Sequence, residues 1–166
     1  TALNQYSPAP GLLSLRESIS RFHERRYPAG AAGTFDPASE VVVTAGAQEG
    51  LAAAMSAFIN PGDEVVLFEP CFPFMLGCIR LAGGVPRVVT LKAEDNFAIN
   101  EAALRAAAAS PKAKMLVLNS PHNPTGHVAT PEELALVAAV CVDNDLIAIA
   151  DDVYEHSGKS LKLCLP

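Results

Sequence analysis

Residues 114–154 contain a complete strand–helix–strand unit with the sequence KMLVLNSPHNPTGHVATPEELALVAAVCVDNDLIAIADDVY. Two runs, 114–118 and 146–150, are apolar apart from Lys114 at the edge of the first, and they have the composition of buried strands. Between them, Thr130 and Glu133 have the spacing of a capping box, and the proline after the threonine suits the first position of a helix. Neighbouring strands that are joined through a helix run parallel, so this unit predicts an α/β protein.

The same alternation of strands and helices extends over the rest of the chain. Apolar runs predict strands over 41–44, 64–68, 85–91, 114–118 and 146–150, and helices are predicted over 12–27, 47–59, 74–82, 101–109 and 131–142. In the first helix, the residues that recur at steps of three and four are Leu12, Leu15, Ile19 and Phe22, which makes it amphipathic. The strands are apolar throughout, which is typical of strands covered on both faces. The sequence therefore predicts a three-layer α/β/α fold around a mostly parallel sheet.

Composition narrows the class of protein. The chain has 166 residues, of which 50% are hydrophobic and 18% are charged, so we expect a packed core. A net charge of −6 argues against a nucleic-acid-binding surface. The longest apolar run, 134–142, is much shorter than the roughly 20 residues of a membrane-spanning helix. The four cysteines form no CxxC pair and indicate reduced thiols, so the expected location is the cytoplasm, with an organelle as the alternative.

Four loops follow predicted strands, and ligands of parallel sheets bind at that edge. Small residues at 44–47 precede a helix and suit an anion such as phosphate, although they also suit close helix packing. Phe72 could stack on a flat ring or lie in the core. Asn123 offers a side-chain amide in a rigid loop, and Asp151 offers a carboxylate that could equally cap a helix.

A single ligand would use all four features, namely pyridoxal phosphate (PLP). It has a phosphate, a flat ring, a ring oxygen that accepts hydrogen bonds and a ring nitrogen whose proton a carboxylate can hold. The two histidines of the same loop, His122 and His127, have no third ligand at a suitable spacing, so the sequence predicts no metal site.

Several phrases occur in an order that resembles one family. They are Asn4-Gln5-Tyr6, Thr44-Ala45-Gly46-Ala47, Asn119 to Gly126 with its Asn-Pro-Thr-Gly core, and Asp151-Asp152-Val153-Tyr154. In this order the chain resembles the fold-type I PLP enzymes, specifically the class I and II aminotransferases. Within that class it is similar to kynurenine/glutamine and methionine-type aminotransferases, which implies that this chain is part of their large, cofactor-binding domain.

The resemblance assigns roles to individual residues. It implies that Gly46, Ala47 and Gln48 bind the phosphate and that Phe72 stacks on the pyridine ring. It implies catalytic roles for Asn123 and Tyr154 at the ring oxygen, and for Asp151 at the ring nitrogen. It also implies a homodimer in which Tyr6 reaches the phosphate of the neighbouring subunit, with an amino acid and a 2-oxo acid as substrates.

The chain departs from the family in three places. Met75 stands where the family often has tyrosine, and Asp152 stands where glutamate is commoner. The family's Schiff-base lysine belongs to a Ser-x-x-Lys phrase well beyond the Asp-x-x-Tyr phrase, and Lys159 and Lys162 lie too near Tyr154 to match it. We therefore expect a truncated chain that is inactive alone.

The expected organisation has three parts and leaves alternatives open. Residues 1–36 form an N-terminal helix and connection, residues 37–156 form a partial PLP-binding domain, and residues 157–166 form a divergent tail. The expected activity is transamination. The alternatives are a carbon–sulfur lyase, an enzyme similar to aminocyclopropane-carboxylate synthase, or a non-catalytic aminotransferase remnant.

Overall fold

The computed structural model describes residues 5–27 and 35–157. Within them, five α-helices are α1 (Leu13–Arg26), α2 (Ala47–Phe58), α3 (Pro73–Leu81), α4 (Glu101–Ala108) and α5 (Pro131–Asp143). Four strands are β1 (Glu64–Glu69), β2 (Val85–Thr90), β3 (Ala113–Asn119) and β4 (Ile147–Asp151), and a short 3-10 helix, Ala93–Asp95, follows β2. All five predicted helices are confirmed, and each end lies within one residue of its predicted position.

The chain divides into two compact units, with the boundary between Gly46 and Ala47. In the first unit, α1 is held by the buried side chain of Arg16, which donates to the backbone oxygens of Gly11 (3.2 Å), Ala38 (3.1 Å) and Pro37. The predicted apolar residues of this helix are between 38% and 55% exposed, whereas Arg16 and Ser20 are buried. The three-part division at residues 36 and 156 stays a prediction, and its tail lies outside the described residues from 158 onward.

The predicted strand at 41–44 is wrong. These residues belong to no strand, and the backbone N–H of Val43 donates to Pro10 O at 3.0 Å. A β-branched run favours an extended backbone, but a strand also needs a neighbour with which to exchange ladder hydrogen bonds. The described residues offer 41–44 no such neighbour, so they contain four strands where five were predicted.

The second unit contains a parallel sheet in the order β2-β1-β3-β4, which confirms the predicted fold class. Alternate residues of the central strands β1 and β3 face two separate cores. On one face, Val65 and Met115 pack with residues of α2 and α3. On the other face, Val66 and Leu116 pack with residues of α4 and α5. The sheet therefore lies between two layers of helices.

The predicted capping box at the start of α5 is confirmed. Thr130 Oγ1 accepts the Glu133 N–H (3.2 Å), and Glu133 Oε2 accepts the Thr130 N–H (2.8 Å). The same carboxylate also accepts the Ile99 N–H (2.7 Å) and a hydrogen bond from His127 Nε2 (2.8 Å). Burial alone would raise the pKa of Glu133, but these hydrogen bonds outweigh it, and the pKa lies below its usual 4.5.

The burial of β3 predicts a large loss of stability when one of its core side chains is truncated. Leu116→Ala removes a fully buried side chain from the central strand and should lower the free energy of unfolding by about 2–5 kcal/mol. The matched control is Leu81→Ala, which removes a side chain that is 85% exposed and should change stability by less than about 0.5 kcal/mol. Urea unfolding of both variants measures the difference, and equal midpoints would contradict the packing.

The lowered pKa of Glu133 predicts a specific loss of stability in acid. A carboxyl group whose pKa is lower in the folded state stabilises the fold above pH 4.5 and loses that contribution as pH falls through the folded pKa. Glu133→Gln should be less stable than wild type at pH 7. The difference in the free energy of unfolding between the two proteins should become smaller below pH 4.5. Urea midpoints measured from pH 7 to pH 3 test this, and a gap independent of pH would contradict it.

Candidate active site

The carboxyl ends of the strands and the start of α2 surround a cavity of about 180 Å³. Its lining residues are Ala47, Gln48, Leu51, Phe72, Phe74, Met75, Asn119, Asn123, Asp151, Val153 and Tyr154. Six of the residues predicted from the sequence are among them: Ala47, Gln48, Phe72, Asn123, Asp151 and Tyr154. A neighbouring cavity of about 330 Å³ shares part of this lining, including Asp151. The structure thus brings most of the predicted site residues around one space.

Asp151 is the last residue of β4 and is partly buried. Its Oδ1 accepts the Val153 N–H at 3.3 Å, and its carboxylate makes no other hydrogen bond or ion pair with the described residues. Its backbone oxygen accepts hydrogen bonds from Asn119 Nδ2 (2.8 Å) and the Ser120 N–H (3.3 Å). The backbone of Asp151 is therefore fixed while its carboxylate keeps capacity for a cationic or protonated group.

Asn119 is a site residue that the sequence analysis did not single out. Its buried side chain accepts the Asn123 N–H through Oδ1 (2.8 Å) and donates to Asp151 O through Nδ2 (2.8 Å). In turn, Asn123 Nδ2 donates to Tyr154 Oη at 3.4 Å. A polar residue directly after the apolar run 115–118 was the available signal, because such a group needs partners when it is buried.

The opposite part of the lining comes from α2 and α3. Ala47 and Gln48 are the first two residues of α2, where backbone N–H groups lack partners within the helix and the helix dipole favours an anion. Phe72 precedes α3 and its side chain is 40% exposed, so its ring is available to a flat ligand. Met75 is buried and also lines the cavity.

The remaining residues that were named from the sequence are not among those that line this cavity. Tyr6 and Gly46 belong to the first unit, and the Tyr6 side chain is fully exposed. Their roles stay predictions, and Lys159 and Lys162 lie outside the described residues. Asp152 lines only the neighbouring cavity, where desolvation and then the charges of Glu155 and Asp151 raise the pKa of its carboxyl group.

Metal sites and membrane-spanning helices are two further features to consider in residues 5–27 and 35–157. No group of three or more His, Cys, Asp or Glu side chains in that part could hold a metal ion. The helices of the same residues include none with the length and apolar character needed to cross a membrane.

Residues 1–162 match the family described as aminotransferase class I and II, and the chain belongs to that family. Class I and II aminotransferases are PLP-dependent enzymes, as the resemblance implied.

Individual relatives agree with this family assignment. The chain is 37% identical to the kynurenine–oxoglutarate transaminase of Dictyostelium discoideum and 35% identical to the methionine aminotransferase of Escherichia coli, covering 92% of this chain and 38% of each relative. The solved structure of N-succinyldiaminopimelate aminotransferase from Mycobacterium tuberculosis is 40% identical, with a TM-score of 0.86 over 93% of this chain and 39% of that one. The chain therefore spans about two fifths of the length of these proteins.

The described residues fit PLP. Backbone N–H groups at the start of α2 suit the phosphate, and Phe72 suits the ring. The Asn123–Tyr154 pair suits the ring oxygen, and the carboxylate of Asp151 suits a protonated ring nitrogen. These four features line one cavity, so the donor set matches the chemistry of the cofactor.

The two side-chain hydrogen bonds of Asn119 join Asn123 to Asp151, and we call them the bridge. They predict a measurable loss of stability when the Asn119 side chain is removed. Asn119→Ala deletes two hydrogen bonds and leaves the Asn123 N–H and Asp151 O without this partner, so the free energy of unfolding should fall by about 2–3 kcal/mol. Asn144→Ala is the control, because it deletes a single side-chain hydrogen bond, to Val140 O, and should cost about 1 kcal/mol. Urea unfolding compares them, and an equal or smaller loss for Asn119→Ala would contradict the bridge.

Proposed function

We propose that this chain forms the cofactor-binding part of a PLP-dependent enzyme that transfers an amino group between an amino acid and a 2-oxo acid. The observation that carries the proposal is one cavity in which the Asp151 carboxylate and the Asn123–Tyr154 pair lie beside Phe72 and the start of α2. Membership in the aminotransferase family supports the same reaction class.

Each part of the cavity has a defined task in this proposal. When bound, PLP supplies an electron-accepting pyridinium ring. The carboxylate of Asp151 holds the proton on the ring nitrogen, because an anion beside a pyridinium favours its charged form. Tyr154 and Asn123 bind and orient the ring oxygen.

The phosphate and the ring face are bound by the other side of the cavity. The N–H groups of Ala47 and Gln48 bind the phosphate at the positive end of the α2 dipole. Phe72 packs against the ring and excludes water from one face of it.

The proposal includes two contributions from outside the described residues. No lysine of residues 5–27 and 35–157 lines the cavity, Lys159 and Lys162 lie too near Tyr154 to match the family's lysine, and the chain spans 38% of its curated relatives' length. In this proposal the lysine that anchors PLP comes from another part of the protein. The 166-residue chain would then be inactive by itself. The enzyme would be a homodimer in which the fully exposed Tyr6 reaches the phosphate of the neighbouring subunit.

The test of this function uses the full-length protein that carries these residues, purified with PLP. Asp151→Asn should lower kcat/KM by about a hundredfold or more, because each unit by which the ring nitrogen's pKa falls costs about 1.4 kcal/mol. Tyr154→Phe should cost about tenfold or less, since it removes one hydroxyl and no charge. Asp145→Asn is the matched control, because it makes the same chemical change at an exposed residue before β4, at the other end of that strand.

The assay measures 2-oxo acid formed from a panel of amino acids, with and without an added 2-oxo acid acceptor. Equal kcat/KM values for wild type and Asp151→Asn would show that Asp151 only caps the turn after β4. More than one equivalent of 2-oxo acid per bound cofactor, formed without any acceptor, would identify the lyase alternative, because transamination stops once each cofactor has taken up one amino group. A full-length protein that forms no 2-oxo acid under either condition would overturn the proposed function.

A further inference from the structure

The loop between β3 and α5, residues 120–130, carries Asn123 to the wall of the cavity and is closed on itself. The His122 N–H donates to His127 O (2.8 Å), and the Gly126 N–H donates to His122 O (2.7 Å). Thr125 Oγ1 accepts the His127 N–H (3.2 Å) and forms a hydrogen bond with His122 Nδ1 (2.8 Å). These bonds connect His127 to His122, the sequence neighbour of Asn123.

His127 is itself fixed by a buried carboxylate. Its Nε2 lies 2.8 Å from Glu133 Oε2, and because a carboxylate that is ionised can only accept, the imidazole is the donor. The two side chains are 18% and 11% exposed, so the contact is largely shielded from water. We call these two side chains, His127 and Glu133, the clasp.

The clasp connects three segments of the chain. Glu133 Oε2 also accepts the Thr130 N–H at the start of α5, and Glu133 Oε1 accepts the Ile99 N–H before α4. A capping box requires only Thr130 and Glu133. The hydrogen bond from His127 is additional to the cap, and it ties an earlier part of the loop to α5.

We propose that the clasp is a positioning device for Asn123, with His127 and Glu133 as positioning residues of the cofactor site. Asn119 holds Asn123 from the side of β3, through the Asn123 N–H. The clasp holds the loop from the side of α5, through the hydrogen bond between His127 O and the His122 N–H. With both sides fixed, the Asn123 amide stays directed at Tyr154 and the cavity. The link to PLP rests on the function proposed above.

The first experiment measures amide hydrogen exchange of the full-length protein without cofactor, so it does not depend on the proposed reaction. His127→Ala should speed exchange in residues 120–130 by about tenfold, because a hydrogen bond to a charged group is lost. His127→Gln should restore most of the protection, since a glutamine amide can donate to Glu133 from a similar distance. The matched control is Val89→Ala, which truncates the buried side chain of β2, at an edge of the described sheet and outside residues 120–130.

The second experiment measures the dissociation constant of PLP by absorbance titration of the same four proteins. His127→Ala should raise the dissociation constant by about fivefold, which corresponds to the loss of one ordinary hydrogen bond. For Val89→Ala and His127→Gln the dissociation constant should stay within about twofold of the wild-type value. Should the histidine variant aggregate, Glu133→Gln tests the same contact from its other partner.

Each result decides one part of the proposal. Exchange in residues 120–130 that rises no more in His127→Ala than in Val89→Ala overturns the clasp. Faster exchange with an unchanged dissociation constant overturns its role toward the cofactor. Wild type that binds no PLP at all overturns the proposed function instead, while the exchange result still decides whether the clasp positions Asn123.

Discussion

The side-chain amide of Asn119 joins the ends of two parallel strands, and the geometry of the cavity depends on this contact. It donates to the backbone oxygen of Asp151 and accepts the backbone N–H of Asn123. The pairing of β3 with β4 places Asn119 directly beside Asp151 in the sheet. One buried side chain is therefore bonded to the backbones of both residues, Asp151 and Asn123, whose side chains would contact the ring in the proposed function.

The sequence predicted what depends on local patterns. The capping box of Thr130 and Glu133 acts within one turn, and its spacing alone located the start of α5. The loop ends that carry Phe72, Asn123 and Asp151 were predicted because parallel strands align their carboxyl ends at one edge.

The remaining features depend on partners that are distant in sequence. Val41 to Thr44 have strand composition, but pairing is decided by which strand lies alongside, and the described residues provide none. The stripe of α1 that includes Leu15 and Ile19 shows which side chains share a face, yet both are exposed in the structure. Asn119 was missed because Asp151, the residue that accepts from its Nδ2, is 32 residues away, beyond any local pattern.

The order of the strands explains why there is a cavity at all. The first strand of the sheet, β1, lies in its interior, β2 lies at one edge beside it, and β3 lies on the other side of β1. Beyond β1 it continues into α3 on one face, whereas beyond β3 it continues into α5 on the opposite face. The two loops diverge, and a crevice opens at this topological switch point. The crevice thus follows from the order in which the chain forms its strands and helices. The loop side chains that line it can change in evolution without any change to the sheet beneath them.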